Sequence, residues 1–311
     1  MNRKIPGAQM NAWVLCATIG PILSIVGRNG WMTVLISVVA AGALSFCVLS
    51  CKQICLPKWL CALELVWLTA FLGGIAKTAA GCWPTTDAIP VIPMVLLLLA
   101  AFAASRGSVP AARTGATLVW LVLPVLGVIT IAGAADVNPD WIRMEPEVPD
   151  GMLIGLLLIP CVCAFLPRES TTAARWSTVI LGVAAVAGAV LVDGLLGESG
   201  ATYAENSFYE FSKSINLFGI AERFEALVAC VLTGSWFALF ALMLSAAYHL
   251  TEEIFAPSGK YGVWAVTILS GVLMCILPNS SGWMAIGTLI FWGFLPVAAQ
   301  GVVGAKNMGK K

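Results

Sequence analysis

Charged residues are scarce in this sequence. Only 11% of its 311 residues are Asp, Glu, Lys or Arg, and 59% are hydrophobic, whereas an ordinary soluble domain has roughly 25% charged residues. Too few charges are present to cover the surface of a water-soluble fold of this size. The net charge of +1 also lacks the basic excess of nucleic-acid-binding proteins. The composition predicts an integral membrane protein with no nucleic-acid partner.

Residues for catalysis and metal binding are also few. The chain has a single histidine, His249, and none of its 10 cysteines forms a CxxC pair, so a Cys/His zinc site is not expected. The sequence contains no GxxxxGK[ST], HExxH or GxSxG motif, which are the patterns of phosphate-binding loops, zinc proteases and serine hydrolases. We therefore expect no enzyme activity, metal ion or cofactor.

The apolar residues occur in long runs, which are typical of membrane-spanning helices. They predict an all-α membrane protein, formed by residues 1–311 as a single integral membrane domain, with about ten spans near the ~20 residues that a bilayer requires. The predicted spans are residues 10–27, 30–50, 59–80, 88–105, 112–134, 151–167, 174–196, 222–250, 261–277 and 282–302.

The distribution of Lys and Arg predicts which ends of the spans face the cytoplasm. With the N-terminus inside, 12 of the 17 basic residues lie in inner segments: Arg3, Lys4, Lys52, Lys58, Arg106, Arg113, Arg168, Arg175, Lys260, Lys306, Lys310 and Lys311. We therefore expect both termini to be cytoplasmic, which the even number of spans allows.

Ten spans divide into two halves of five, about residues 10–134 and 151–303, and the first span of each half contains a central proline. Pro21 follows Gly20 in span one, and Pro160 lies near the middle of the short span six. Proline removes a backbone donor and clashes with the preceding turn. Interrupted helices at matching positions of two halves indicate a transporter binding site, so we expect helices one and six to be broken. A plain proline kink is the alternative.

Short motifs resemble the spore germination permeases, the B subunits of nutrient germinant receptors. The opening is similar in Gly7-x-Gln9-x3-Trp13 and in Ile19-Gly20-Pro21-Ile22-Leu23. Two further patches are Gly27-x2-Gly30-Trp31 and Glu222-Arg223-Phe224-Glu225-Ala226-Leu227. The resemblance implies the amino acid–polyamine–organocation superfamily, the ten-helix leucine-transporter fold with inverted repeats, and a pocket among spans one, three, six and eight. It also implies a small nutrient such as an amino acid, other germinant receptor subunits as partners, and the spore inner membrane.

The candidate ligand-binding residues lie near the middle of four spans. They are Thr18, Ile19, Gly20, Pro21 and Ile22 in span one, Trp67 in span three, Pro160 and Cys161 in span six, and Ser235 and Trp236 in span eight. Backbone groups freed by a helix break can hold a small polar ligand or cation. Ordinary helix packing is the alternative for each of these residues taken alone.

Charged residues inside spans are costly and indicate function. Glu64 and Lys77 lie in the inner and outer thirds of span three, and Glu225 lies one turn into span eight. We expect Glu64 to carry a proton, bind a cation or accept a structural hydrogen bond. Lys77 and Glu225 either pair across the pocket mouth or extend to the interface. Asp193, near the outer end of span seven, is expected at the interface.

Three functions fit this sequence. The first is a germinant receptor subunit that binds a nutrient at the membrane midplane and signals to partner subunits. The second is a permease that couples amino acid uptake to protons or sodium. The third is a structural membrane subunit with a vestigial pocket.

Overall fold

The computed structural model describes residues 4–50, 56–83, 90–143, 145, 148–167, 172–204, 206–215, 224–277 and 282–299, with the side chains of 172–174 and 224–225 left out. The α-helices of the described part are α1 (Gly7–Ile25), α2 (Trp31–Ser50), α3 (Lys58–Gly81), α4 (Val91–Ser105), α5 (Ser108–Ala134), α6 (Gly151–Leu157), α7 (Ile159–Val162), α8 (Thr172–Tyr203), α9 (Ser207–Ser214), α10 (Phe224–Ile254), α11 (Gly259–Ile276) and α12 (Gly282–Thr288).

These helices account for the predicted spans. Eight of them are long and apolar enough to cross a membrane. The other two spans are short: α4 has 15 residues, and span six is divided between α6, α7 and a 3-10 turn at Cys163–Phe165. The part of the chain that the structure describes is therefore helical, with eight helices long enough to cross a membrane and two shorter segments at the positions of predicted spans four and six.

The expected break in span one is wrong. α1 continues through Gly20 and Pro21 to Ile25 and then tightens into a 3-10 turn at Val26–Arg28. Proline removes one donor from the ladder, but its φ suits a helix, and membrane helices tolerate such a loss where neighbouring groups compensate. The carbonyl that Pro21 leaves without its helical donor is that of Ala17, four residues earlier in the same buried helix. Pro21 alone is too weak a signal for an unwound segment.

The expected break in span six is confirmed. α6 ends at Leu157, and α7 begins at Ile159, one residue before Pro160. Leu158 between them has φ −90° and ψ −4°, which is distorted from helical geometry. At 1.5 Å per residue, a stretch as short as Gly151–Phe165 covers only about 22 Å as α-helix, less than the ~30 Å hydrocarbon core. Span six is therefore short and irregular in its inner half.

The spans surround α1, which is almost completely buried. α1 lies against α5, α8 and α10. Several further contacts join a span of the first half to its counterpart in the second: α2 lies against α8, α3 against α10, and α4 against α11. α1 and α5, in the first and last spans of the first half, contact each other. α6 and α12, in the first and last spans of the second half, do the same.

One tight junction fixes α1 against its neighbours. The Trp13 indole donates to the Ala238 carbonyl of α10 at 3.2 Å, and its ring covers Gly115 of α5. A Cβ atom at Gly115 would lie 2.1 Å from Trp13 Cδ1, a distance that no real contact has. Glycine is therefore required where α1, α5 and α10 meet.

We expect Gly115→Ala to destabilise the protein by about 1–3 kcal/mol, the usual cost of overpacking. Gly127→Ala is the matched control, because a Cβ at Gly127 on the same helix meets nothing within 4 Å. Chemical unfolding in mixed micelles measures both variants. Equal stability of the two variants would show that Trp13 does not rest on Gly115.

Two outer elements lie beyond the spans. Gly197 bends α8 near its outer end with φ +68°, a left-handed conformation that favours glycine. The short helix α9 follows, and Asn206 caps it by accepting a hydrogen bond from the Tyr209 N–H at 3.1 Å. This arrangement places α9 over the ends of α1, α8 and α10.

Candidate functional site

Spans one and six are tied together at both ends. At one end the Ile5 N–H donates to the Pro167 carbonyl at 3.0 Å. At the other end the Asp150 N–H donates to the Asn29 side-chain oxygen at 2.7 Å, and the Asp150 carboxylate caps α6. The two proline-bearing spans therefore form one hydrogen-bonded pair, although only span six is interrupted.

The middle of span one lies directly against span eight. A Cβ at Gly20 would be 2.5 Å from the Cβ of Ser235, so the two backbones approach closely, as small residues allow in membranes. The Ser235 hydroxyl is buried and has no hydrogen-bond partner among the described residues. Two candidate ligand-binding residues therefore meet, but they touch and leave no room for a ligand between them.

An enclosed cavity of about 170 Å³ lies beside this contact, toward the start of α10. It is lined by Cys82, Trp83, Asn206, Tyr209, Ala229, Leu232 and Trp236. On α10 the spacing i, i+3, i+7 of Ala229, Leu232 and Trp236 puts their side chains on one face. A cavity of about 150 Å³ accommodates benzene, so this cavity is large enough for a small molecule.

Two hydrogen bonds involve residues that line the cavity. The Asn206 amide donates to the Cys82 carbonyl at 3.3 Å, and the Trp83 indole donates to the Thr233 hydroxyl at 3.2 Å. The Trp236 indole N–H, in contrast, is buried without an acceptor in the described part of the chain. A buried donor without an acceptor is costly. This N–H has no accessible surface in the structure, so a ligand oxygen could accept from it only after the Trp236 side chain shifts.

Trp67 belongs to a different group of aromatic residues. Its ring stacks on Phe291 with centroids 5.4 Å apart and meets Trp283 edge-on at 5.7 Å. A Cβ at Gly287 would lie 2.0 Å from the Trp67 ring. Phe291 lies within a π-helical segment at Leu289–Phe294 of span ten, and Trp283 and Gly287 precede that segment. Trp67 therefore joins span three to span ten and is not part of the cavity lining.

The remaining candidates are in well-packed surroundings. The Cys161 thiol lies 3.3 Å from the Ser45 hydroxyl of α2, next to the buried Pro160. The Thr18 hydroxyl donates to the Val14 carbonyl of its own helix at 2.6 Å. Ile19, Pro21 and Ile22 are buried along α1. The structure therefore distributes the candidate set over several helix contacts and brings Gly20, Ser235 and Trp236 nearest to one another.

Glu64 is completely buried in α3. Both carboxylate oxygens lack a hydrogen-bond partner among the residues described. An ionised carboxylate without a cation or donor is very costly in apolar surroundings. A proton, a cation or a hydrogen-bond donor is needed to compensate this side chain, and the role of Glu64 stays a prediction.

Of the predicted pair of Lys77 and Glu225, the structure describes the side chain of Lys77 alone. The Lys77 ammonium donates to the Leu277 carbonyl at the end of α11. Carbonyl groups at the end of a helix have no donor within the helix and are free to accept such a bond. The side chain of Glu225 lies outside the described residues. Lys77 therefore joins spans three and nine, and its pairing with Glu225 stays a prediction.

Asp193, which the sequence predicts near the interface, is buried within the protein in an ion pair. Its Oδ1 accepts from the Arg143 guanidinium at 2.6 and 3.2 Å. Arg143 also donates to the Gly27 carbonyl at 2.7 Å and to the Thr202 hydroxyl at 3.1 Å. We call these four residues the outer clamp. It joins the segment before span six to the end of span one and to both sides of the bend in α8.

Sequence analysis missed the outer clamp and most of the cavity lining. A lone Asp in the apolar run of span seven was the one signal for the clamp, since such residues are paired when buried. No signal in the sequence indicated the cavity, because Cys82, Asn206 and Leu232 are far apart in the chain and meet only in the folded protein.

Comparisons with known proteins identify the fold. No protein-family model matches the chain, and no curated protein matches it. Among solved structures, a nucleobase-cation-symport-1 family transporter, in a closed conformation with bromovinylhydantoin bound, is similar with a TM-score of 0.51 and 14% identity. The similarity covers 92% of this chain and 75% of that chain. The chain therefore has the leucine-transporter type of fold, which does not by itself determine a substrate.

Proposed function

We propose that this protein is a permease-type subunit that binds a small nutrient inside the membrane and passes the bound state to partner proteins. The resemblance to the spore germination permeases supports this role, with germinant receptor subunits as partners and the spore inner membrane as location. The observation that carries the proposal is the enclosed cavity beside Gly20 and Ser235, with the Trp236 N–H lacking an acceptor. A nutrient can signal only if it favours one conformation over another.

The proposal includes an inverted repeat of spans one to five and six to ten. Its support is the set of contacts between corresponding spans, together with the hydrogen bonds that tie span one to span six at both ends. In such folds one group of spans moves against the other around a fixed site. The distribution of basic residues supports a cytoplasmic location for both termini.

The nutrient class implied by the resemblance is an amino acid. The cavity of about 170 Å³ limits the size, and the Trp236 N–H favours a ligand with a carboxylate or carbonyl oxygen. The structural neighbour carries bromovinylhydantoin, a ring compound with carbonyl groups, so hydantoins belong in the same screen.

Binding to the purified protein tests this role. We expect a radiolabelled amino acid or hydantoin to bind in nanodiscs, and Trp236→Phe to weaken that binding about threefold to tenfold through loss of one hydrogen bond. Trp120→Phe is the matched control, because Trp120 is 81% exposed on α5 and faces away from the cavity. Equal affinity of both variants would remove the cavity from the proposal.

Proton-coupled transport is the second candidate, and Glu64 is the observation that favours it. A buried carboxyl without a partner can release its proton only when the surroundings change, which is the behaviour of a coupling site. Uptake into proteoliposomes that contain this chain alone would favour transport. Nutrient binding without uptake would favour the receptor role. If the chain shows neither binding nor uptake but co-purifies with partner proteins, the role of a structural subunit would be favoured.

A further inference from the structure

An open groove runs along the membrane-facing surface between α2 and α8. Its volume is about 580 Å³. Residues between Leu35 and Phe46 line it on α2, and residues between Thr178 and Ala187 line it on α8. Thr178 carries the one hydroxyl of the lining, and the other side chains are apolar. The groove therefore offers a continuous hydrocarbon-compatible surface along the middle of α2.

Two glycines give the groove its shape. A Cβ at Gly182 of α8 would lie 2.5 Å from Val38 Cγ1, so the two helices touch along that line. A Cβ at Gly42 of α2 would meet nothing within 4 Å. Gly42 therefore faces open space in the groove, and Gly182 determines how closely its walls approach.

Arg175 lies near the end of the groove that is predicted to face the cytoplasm. Arg175 precedes Thr178 by three residues on α8, so the two side chains share a face. It is partly buried, and its Nη2 makes a long contact of 3.5 Å with the Leu49 carbonyl. Its Nε is buried and has no acceptor among the described residues. The side chain as a whole is only partly buried, so the exposed part of its guanidinium can donate to an anionic group such as a phosphate.

We propose that this groove binds an anionic phospholipid, with an acyl chain along Gly42 and the phosphate on Arg175. Charge complementarity at the inner end identifies the headgroup, and the apolar lining identifies the chain. The predicted orientation puts Arg175 on the cytoplasmic side, where anionic lipids bind basic pockets between helices. This site is separate from the nutrient cavity and does not depend on it.

A second groove, between α4 and α11, provides the control. It has about 400 Å³ and an apolar lining apart from Thr267 and Cys275, and, unlike the first groove, it has no basic residue within three positions of any lining residue. Gly271 in this groove also has nothing within 4 Å of an added Cβ. Leucine can therefore fill either groove without a backbone clash at its Cβ, but only the groove at Gly42 ends at Arg175.

Native mass spectrometry of the full chain, extracted from phosphatidylcholine and phosphatidylglycerol nanodiscs, tests the site. We expect the unmodified protein to retain phosphatidylglycerol in preference to phosphatidylcholine. Gly42→Leu should abolish that preference by filling the groove, and Gly271→Leu should keep it. Arg175→Gln should lower retention about fivefold, the usual contribution of one basic residue, whereas Arg175→Lys should keep most of it.

Three results would overturn the proposal. One is equal retention of the two lipids by the unmodified protein. Another is loss of phosphatidylglycerol in Arg175→Gln but not in Gly42→Leu, which would leave a headgroup contact without a bound chain. The third is a co-purifying protein that Gly42→Leu releases, which would assign the groove to a partner helix. Nutrient binding should be unchanged in Gly42→Leu, so failure here is distinguishable from failure of the proposed function.

Discussion

Arg143→Gln is expected to destabilise the protein by about 3–5 kcal/mol, the typical cost of removing one partner from a buried ion pair. The Asp193 carboxylate is completely buried, so its charge would be left without the guanidinium that compensates it. The Gly27 carbonyl at the end of span one would lose its donor as well. Chemical unfolding in mixed micelles measures the effect.

The described residues offer a matched control in Lys213 and Glu210, whose 2.8 Å ion pair joins side chains that are 35% and 44% exposed. Lys213→Gln should cost less than about 1 kcal/mol, as exposed pairs do. Replacing both members of the buried pair, as Arg143→Met with Asp193→Leu, should recover part of the loss because no uncompensated charge remains. Similar stability of Arg143→Gln and Lys213→Gln would contradict the burial of the clamp.

The outer clamp also bears on the proposed function, because it joins spans one, six and seven at one end. If these spans move as a unit, loosening the clamp should weaken nutrient binding even though Arg143 does not line the cavity. A stability loss without any change in binding would restrict the clamp to a structural role.

Glu64→Gln is expected to abolish accumulation driven by a pH gradient if the chain transports its nutrient with protons. One pH unit corresponds to about 1.4 kcal/mol, enough for roughly tenfold accumulation. Gln keeps the shape of a protonated carboxyl but cannot release a proton. The variant should therefore still exchange substrate across the membrane, but its ratio of internal to external substrate concentration should stay near one. Uptake into proteoliposomes with an imposed gradient measures this ratio.

Glu253→Gln is the control for Glu64→Gln, because Glu253 is an exposed carboxylate at the inner end of α10. It should leave accumulation unchanged. Full accumulation by Glu64→Gln would exclude Glu64 as the coupling residue. Nutrient binding with no response of the unmodified protein to a gradient would favour the receptor role.

The sequence by itself determined the class of fold. Long apolar runs with few charges predict spans because unpaired polar groups are costly in lipid, and this physical cause is local to each run. The break in span six was also predictable, since Pro160 lies in a segment too short to cross as one helix. The same reasoning was wrong at Pro21, where buried neighbours on several sides of α1 keep the helix intact.

Tertiary structure alone decided the sites. Gly20 meets Ser235, Trp83 and Asn206 close a cavity over Trp236, and Arg143 reaches Asp193 across fifty positions. These contacts depend on which faces of the helices meet, and in a membrane that choice is made by close fit and hydrogen bonding more than by hydrophobicity. Because nearly every residue of such a helix is apolar, its sequence pattern shows that it spans the membrane but not which of its neighbours each face contacts.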